Sequence, residues 1–187
     1  MPVREMTVYG VSFDIVGKQP IVLLKTQDGN KFLPIWIGHP EAAAILMKLQ
    51  GSAPPRPMTH DLLTSILEQL ETEVARITVT ELRENTFYAR ITLVQDGQEI
   101  EIDSRPSDAI AIAVRADAKI FASDEVIEES GIEFEGDDEE TEARIARVSA
   151  LADLDPAEFR RFLDTVTPDQ FAEGLEEGNG EAEEADD

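Results

Sequence analysis

Acidic residues are spread so unevenly along this chain that they decide where a core can form. Residues 1–131 hold 20 acids and 12 bases, whereas residues 132–187 hold 20 acids and 4 bases. The two stretches contribute −8 and −16 to a net charge of −24. A block of like charge repels itself and stays solvated, so the core is expected in the first part and an extension in the last. We therefore place one domain at residues 1–132 and an acidic extension at 133–187, in keeping with ~100–200 residues per domain. "EFEGDDEETEAR" (133–144) reads as a linker. Asp155–Pro156 and Thr167–Pro168 each set a cap before a proline, which predicts short helices over 156–165 and 168–175. The closing "EEGNGEAEEADD" is expected to be disordered.

The acid excess disfavours binding of nucleic acid through a broad basic face, leaving local arginines or bridging metal ions as the means. With no cysteine, disulfides, thiolate catalysis and cysteine-bound zinc are excluded. "MPVREMTVYG" lacks the apolar stretch of a signal peptide, and no run approaches the ~18 apolar residues of a membrane helix. The expectation is a soluble cytoplasmic protein with no membrane partner.

The first part alternates between strand and helix signals. "MTVYGVSFD" (6–14), "PIVLLKTQ" (20–27) and "KFLPIWIG" (31–38) read as strands, the last two joined at Asp28–Gly29. Pro34 predicts an edge strand or a bulge. "PEAAAILMKLQ" (40–50) reads as a helix that Gly51 ends, with Glu41 near its positive end. "THDLLTSILEQL" (59–70) places Leu62, Leu63, Ile66, Leu67 and Leu70 on one helical face, with Thr59 as the expected N-cap. Strands follow at 74–82, 86–95 and 98–104, with turns at Glu84–Asn85 and Asp96–Gly97. "RPSDAIAIAVRADA" (105–118) is apolar almost all round and predicts a helix buried on most sides. "KIFA" (119–122) and a Ser123-capped helix complete an α+β reading: a mixed, mostly antiparallel sheet with three to four helices.

"RPMTHD" (56–61) and "RPSDAI" (105–110) nearly repeat each other, each bringing an arginine and an acid to a helix start. No Ser-His-Asp arrangement, Walker loop or dinucleotide motif is present, and the only histidines are His39 and His60. What remains is Glu41, Asp61, Asp103 and Asp108 at element boundaries, beside Arg56 and Arg105. Carboxylates suit Mg²⁺ or Mn²⁺, and a guanidinium suits a phosphate. The same acids equally serve helix dipoles, and the same arginines equally pair with them.

"LPIWIGHPEAAAI" (33–45), "PPRPMTHDLL" (54–63), "TFYARI" (86–91) and "IDSRPSDAIAIAVRADAKIF" (102–121) together resemble the bifunctional nuclease family over roughly residues 5–132. The resemblance implies a homodimeric or higher assembly and cleavage of RNA and DNA with little base specificity. It carries the family's polar positions onto Glu41, Arg56, Thr59, His60, Asp61, Asp103, Arg105, Ser107 and Asp108. Ser104 stands where the family more commonly has alanine.

On that basis His60, Asp61, Asp103 and Asp108 are expected to be catalytic. Glu41, Asp61, Asp103 and Asp108 would hold Mg²⁺ or Mn²⁺, and Arg56 and Arg105 would bind phosphate, with Thr59 and Ser107 in support. His60, with a reference pKa of ~6.5, suits a general acid or base. The competing expectation is a non-catalytic binding or regulatory module. There the arginines pair internally with Asp103 and Asp108, and the acidic tail docks a basic protein partner. A third expectation has the tail mimicking nucleic acid within its own dimer. The two Arg-Pro segments are expected to face each other across one polar site.

Overall fold

A computed structural model of the chain describes residues 2–14, 19–27, 29, 31–52 and 54–133. The expected linker, the two short helices over 156–165 and 168–175 and the disordered end lie outside the described residues. So does most of the 133–187 extension.

Eight strands and four helices are described: β1 (Val3–Asp14), β2 (Gln19–Thr26), β3 (Lys31–Trp36), α1 (His39–Leu49), α2 (Thr59–Gln69), β4 (Glu73–Arg83), β5 (Thr86–Gln95), β6 (Gln98–Ser104), α3 (Pro106–Ala116), β7 (Lys119–Ser123), α4 (Asp124–Ser130) and β8 (Ile132–Glu133). They form one sheet in the order β6-β5-β4-β7-β1-β2-β3-β8. Only β4 and β7 run parallel; the other neighbours are antiparallel. The fold class is α+β, as expected.

Local chemistry accounts for most boundaries. Glu84 and Asn85 both have positive φ, as do Asp96 and Gly97, which gives the backbone the twist that two-residue hairpins require. Those turns set β4, β5 and β6 as a meander. Pro34 sits where β3 pairs β2 on one side, while β8 covers only Lys31 and Phe32 on the other. Its missing N–H thus falls on open edge, as the edge-strand reading predicts.

The sheet and α1, α3 and α4 share the core. Leu24, Leu33, Ile45, Ile77, Val79 and Ile110 are fully buried, each contributing roughly 1.5–3 kcal/mol through removal from water. In α3 the buried run extends from Pro106 to Ala113, broken only by the half-buried Asp108. Ser123 caps α4, its Oγ accepting from Val126 N at 3.3 Å.

One expectation fails at α2. Thr59 is the first helical residue, and Met58 holds the N-cap position. The capping function passes to Asp61, whose Oδ2 accepts from Met58 N at 2.9 Å. The apolar face of α2 does not join the core. Thr64 is the buried residue of the helix, while Leu62, Leu63, Ile66 and Leu70 are exposed. No described helix is long and apolar enough to cross a membrane.

Candidate functional site: a histidine held by aspartate among three helix starts

Three helices begin close together, and their first turns carry most of the expected residues. Glu41 is the third residue of α1, His60 the second of α2 and Asp108 the third of α3. His60 Nε2 lies 3.2 Å from Asp108 Oδ1, joining α2 to α3. Arg105 donates from Nε to Asp108 Oδ2 at 2.7 Å and from Nη2 to Asp108 Oδ1 at 3.1 Å. The same Nη2 reaches Glu41 Oε1 at 2.8 Å. The two Arg-Pro segments therefore meet through His60 and Asp108, with α1 drawn in by Arg105.

Their starting residues differ from that of α4. Gly38, Met58 and Arg105 precede α1, α2 and α3, and none supplies a side-chain cap to the first-turn N–H groups. Ser123 does so for α4. Gly38 also makes room for the site, because a Cβ there would collide with the Glu41 carboxylate.

The electrostatics follow from these contacts. Burial opposes ionisation of Asp108, but hydrogen bonds from Arg105 and His60 outweigh it and hold the carboxyl below its usual range. Arg105 is raised in turn, chiefly by Asp108 and then, against burial, by Glu41. Arg105 stays 65% exposed even so, and its Nη1 donates to no described residue. His60 is 14% exposed.

Asp61 belongs to a neighbouring arrangement. Arg115, near the end of α3 and 4% exposed, donates from Nε to Asp61 Oδ1 at 2.5 Å. It also donates to Ala111 O at 2.9 Å and to Ala44 O at 3.1 Å, tying α1, α2 and α3 together. Burial opposes ionisation of Asp61, yet the Met58 N–H and Arg115 together hold its carboxyl low. Arg115 was not among the expected residues. Its signal was a lone cation in an otherwise apolar helix, a residue type rarely buried without a partner. Beside this pair lies a cavity of about 360 Å³ whose lining includes Lys48, Pro54, Pro57, Met58, Asp61 and Arg115.

The remaining expected residues are more scattered. Arg56 is exposed and makes no side-chain hydrogen bond or ion pair among the described residues. Thr59 is exposed, and Ser107 is buried in the first turn of α3. Asp103 is exposed on β6, in alternation with Ile100 and Ile102, and joins none of these contacts. His39 begins α1, and burial lowers its pKa against the pull of Glu41. Among the described residues no group of three or more His, Asp or Glu side chains is gathered to hold a metal. Glu41 and Asp108 are bridged by Arg105, Asp61 is turned to Arg115, and Asp103 lies apart.

Comparison with known proteins supports what the blocks of sequence implied. The profile of the bifunctional nuclease domain matches residues 22–135. An uncharacterized protein of Mycobacterium tuberculosis is 38% identical over 169 residues, covering 89% of this chain and 97% of its own. Bifunctional nuclease 1 of Oryza sativa is 29% identical over 115 residues, 59% of this chain and 35% of the rice protein. Bifunctional nuclease 1 of Arabidopsis thaliana is 29% identical over 100 residues, 51% of this chain and 31% of its own. The chain thus spans about a third of the length of these plant relatives. With the domain profile covering more than half of its residues, the chain belongs to the bifunctional nuclease domain family.

Proposed function

We propose that the chain is a nuclease that hydrolyses phosphodiester bonds of RNA and DNA around His60. The observation that carries this is the His60–Asp108 contact at the meeting of three helix starts. A histidine oriented by a carboxylate is the usual arrangement for moving a proton near neutral pH. The starts of α1 and α3, whose cap residues offer no side-chain acceptor, favour anions through their N–H groups and positive dipole ends.

In this reaction the substrate phosphate lies against Arg105 Nη1 and against Arg56, which has no side-chain partner among the described residues. His60 Nδ1 takes a proton from water, whose oxygen attacks phosphorus. The bond to the leaving oxygen breaks, and that oxygen receives the proton that the His60 imidazolium gives up, leaving a phosphate monoester, an alcohol and a neutral His60. Asp108 stabilises the imidazolium that forms. An adjoining nucleotide would enter the 360 Å³ cavity beside Asp61. Mg²⁺ or Mn²⁺ would be held here by the phosphate oxygens of the substrate and would supply charge neutralisation, because Arg105 already bridges Glu41 and Asp108.

The test is hydrolysis of single-stranded RNA and DNA by the purified chain with Mg²⁺, Mn²⁺ or EDTA, beside His60→Ala and Asp108→Asn. Cleavage that both substitutions abolish supports the proposal, and cleavage untouched by either sinks it. A second reading, a non-catalytic binding module, gains from one observation: Arg105 does pair internally, with Asp108 and Glu41. Absence of hydrolysis under every condition, with RNA still retained, would favour it.

A further inference from the structure

The sheet has two unlike faces. On β4 and β5, Ile77, Val79, Ala89 and Ile91 turn to the side where α3 packs. Arg76, Thr78, Arg90 and Thr92 alternate with them and turn to the other side. Phe121 pairs with Thr78 and Glu101 with Thr92, which puts both on that second side as well. These six residues line a cavity of about 360 Å³, and every residue of its lining stands on a strand. It shares no residue with the cavity beside Asp61.

The groove has hydrogen-bonding capacity that the fold does not use. Thr92 is 2% exposed, yet its hydroxyl makes no hydrogen bond among the described residues. A buried hydroxyl without a partner is unfavourable, so water or a guest completes it. Thr78, half-buried on the neighbouring strand, also lacks a side-chain hydrogen bond there. Arg90 gives Nη1 to Glu101 at 2.6 Å, leaving Nε and Nη2 without an acceptor among the described residues.

The lining selects the guest. Arg76 is paired with Glu99 and Arg90 with Glu101, so the groove has no surplus positive charge for an isolated anion. Glu101 is the one carboxylate of the lining, too few for a metal ion. Hydroxyls that both donate and accept suit the mixed edge of a nucleobase. The half-exposed Arg90 guanidinium and the Phe121 ring offer flat surfaces to its face. The volume is that of a small ligand's site.

We propose that this groove binds one unpaired base of the single-stranded substrate, away from the bond that is cut. The inference rests on the reading of the chain as a nuclease. Strand β6 connects the two places: Glu101 stands four residues before Arg105, about 13 Å along the strand at ~3.3 Å per residue. A nucleic-acid strand whose phosphate lies against Arg105 reaches the groove around β6, the free edge of the sheet. Because the hydroxyls rotate to donate or accept, the groove takes any base, provided that it is unpaired.

Fluorescence anisotropy with a labelled single-stranded RNA of about ten nucleotides, within the usual footprint of a single-strand site, tests this. The measurement is made in His60→Ala, so that the RNA stays whole. Adding Thr78→Val and Thr92→Val, which remove both hydroxyls and keep the side-chain shape, should raise Kd about fivefold or more. Neither hydroxyl has a partner in the fold, so urea unfolding should stay level. An abasic nucleotide walked along the RNA should weaken binding at one position, and the double valine variant should lose that sensitivity. With His60 restored, the valines should leave hydrolysis of a dinucleotide unchanged. Equal Kd with and without the valines, no sensitive position, or equally tight binding of duplex RNA overturns the proposal. If the anisotropy differences appear while no substrate is hydrolysed, the groove stands and the nuclease reading falls.

Discussion

Arg56-Pro57 and Arg105-Pro106 are spelled alike, yet Pro106 is buried as the first residue of α3, whereas Pro57 is exposed two residues before α2 begins. Arg105 is tied to Asp108 and Glu41, while Arg56 has no side-chain partner among the described residues. The acids diverge in the same way. Asp61 caps the helix start at Met58 and is gripped by the buried Arg115, so it holds α2 to α3. Asp108 caps nothing; it takes an exposed arginine and a histidine. Identical residue types at identical helical positions thus split into a clamp and a partner for His60. What separates them is the cation that faces each acid: one sealed from water, one open to it.

The sharpest way to break this comparison is through activity. His60→Ala should lower the rate of RNA cleavage by ~10²–10⁴-fold, measured as initial velocity, while Arg115 and Asp61 keep the fold intact. Next in size is Arg115→Met, which leaves Asp61 without its cation and removes the side-chain donor that Ala111 O and Ala44 O share. Urea unfolding should register a loss of ~3 kcal/mol, with activity falling only as far as α2 shifts.

Asp61→Asn keeps a side chain able to accept from Met58 but loses the negative charge that faces Arg115, and should cost ~1 kcal/mol in the same assay. Should it instead abolish cleavage with stability unchanged, Asp61 would move from clamp to reactive group. The acid limb of stability offers a related check. Asp61 and Asp108 both have folded pKa values below their unfolded ones, so their contribution is complete above about pH 4 and is lost as pH falls through the folded values. Asp61→Asn should therefore flatten the acid limb of a stability–pH curve and leave its neutral region level.

The smallest effects belong to the exposed arginines. Arg105→Ala should change unfolding free energy by no more than ~1 kcal/mol, and Arg56→Ala by less than ~0.5 kcal/mol. Both should weaken substrate binding, seen as a raised KM and a shallower dependence on salt.

Much of the fold was legible because its signals are short in range. The hairpins at Glu84–Asn85 and Asp96–Gly97 follow from residues that accept positive φ, and the Ser123 cap follows from a hydroxyl at a helix start. The limits of β5 and β6 need nothing beyond those turns. Thr59 misled because capping was judged by residue type, whereas Asp61 could reach back to Met58 from inside the helix. The leucine face of α2 shows a different limit. Periodicity reports that a stripe exists and leaves open what covers it. Asp103 looked equivalent to its neighbours until strand alternation took it away from the other acids. Arg115 stood out as a lone cation in its helix, but its partner, 54 positions away, could not be read from the sequence.

The sequence by itself determined where a core could lie, which segments are strands or helices, and which residue types stand at each helix start. These are consequences of local backbone preference, side-chain period and charge density. Tertiary structure alone decided that His60 meets Asp108 across 48 positions and that Arg105 bridges to Glu41 across 64. It alone turned the polar side of α2 inward. Those outcomes depend on how long loops close and on which cation ends beside which carboxylate, and no local pattern encodes that distance.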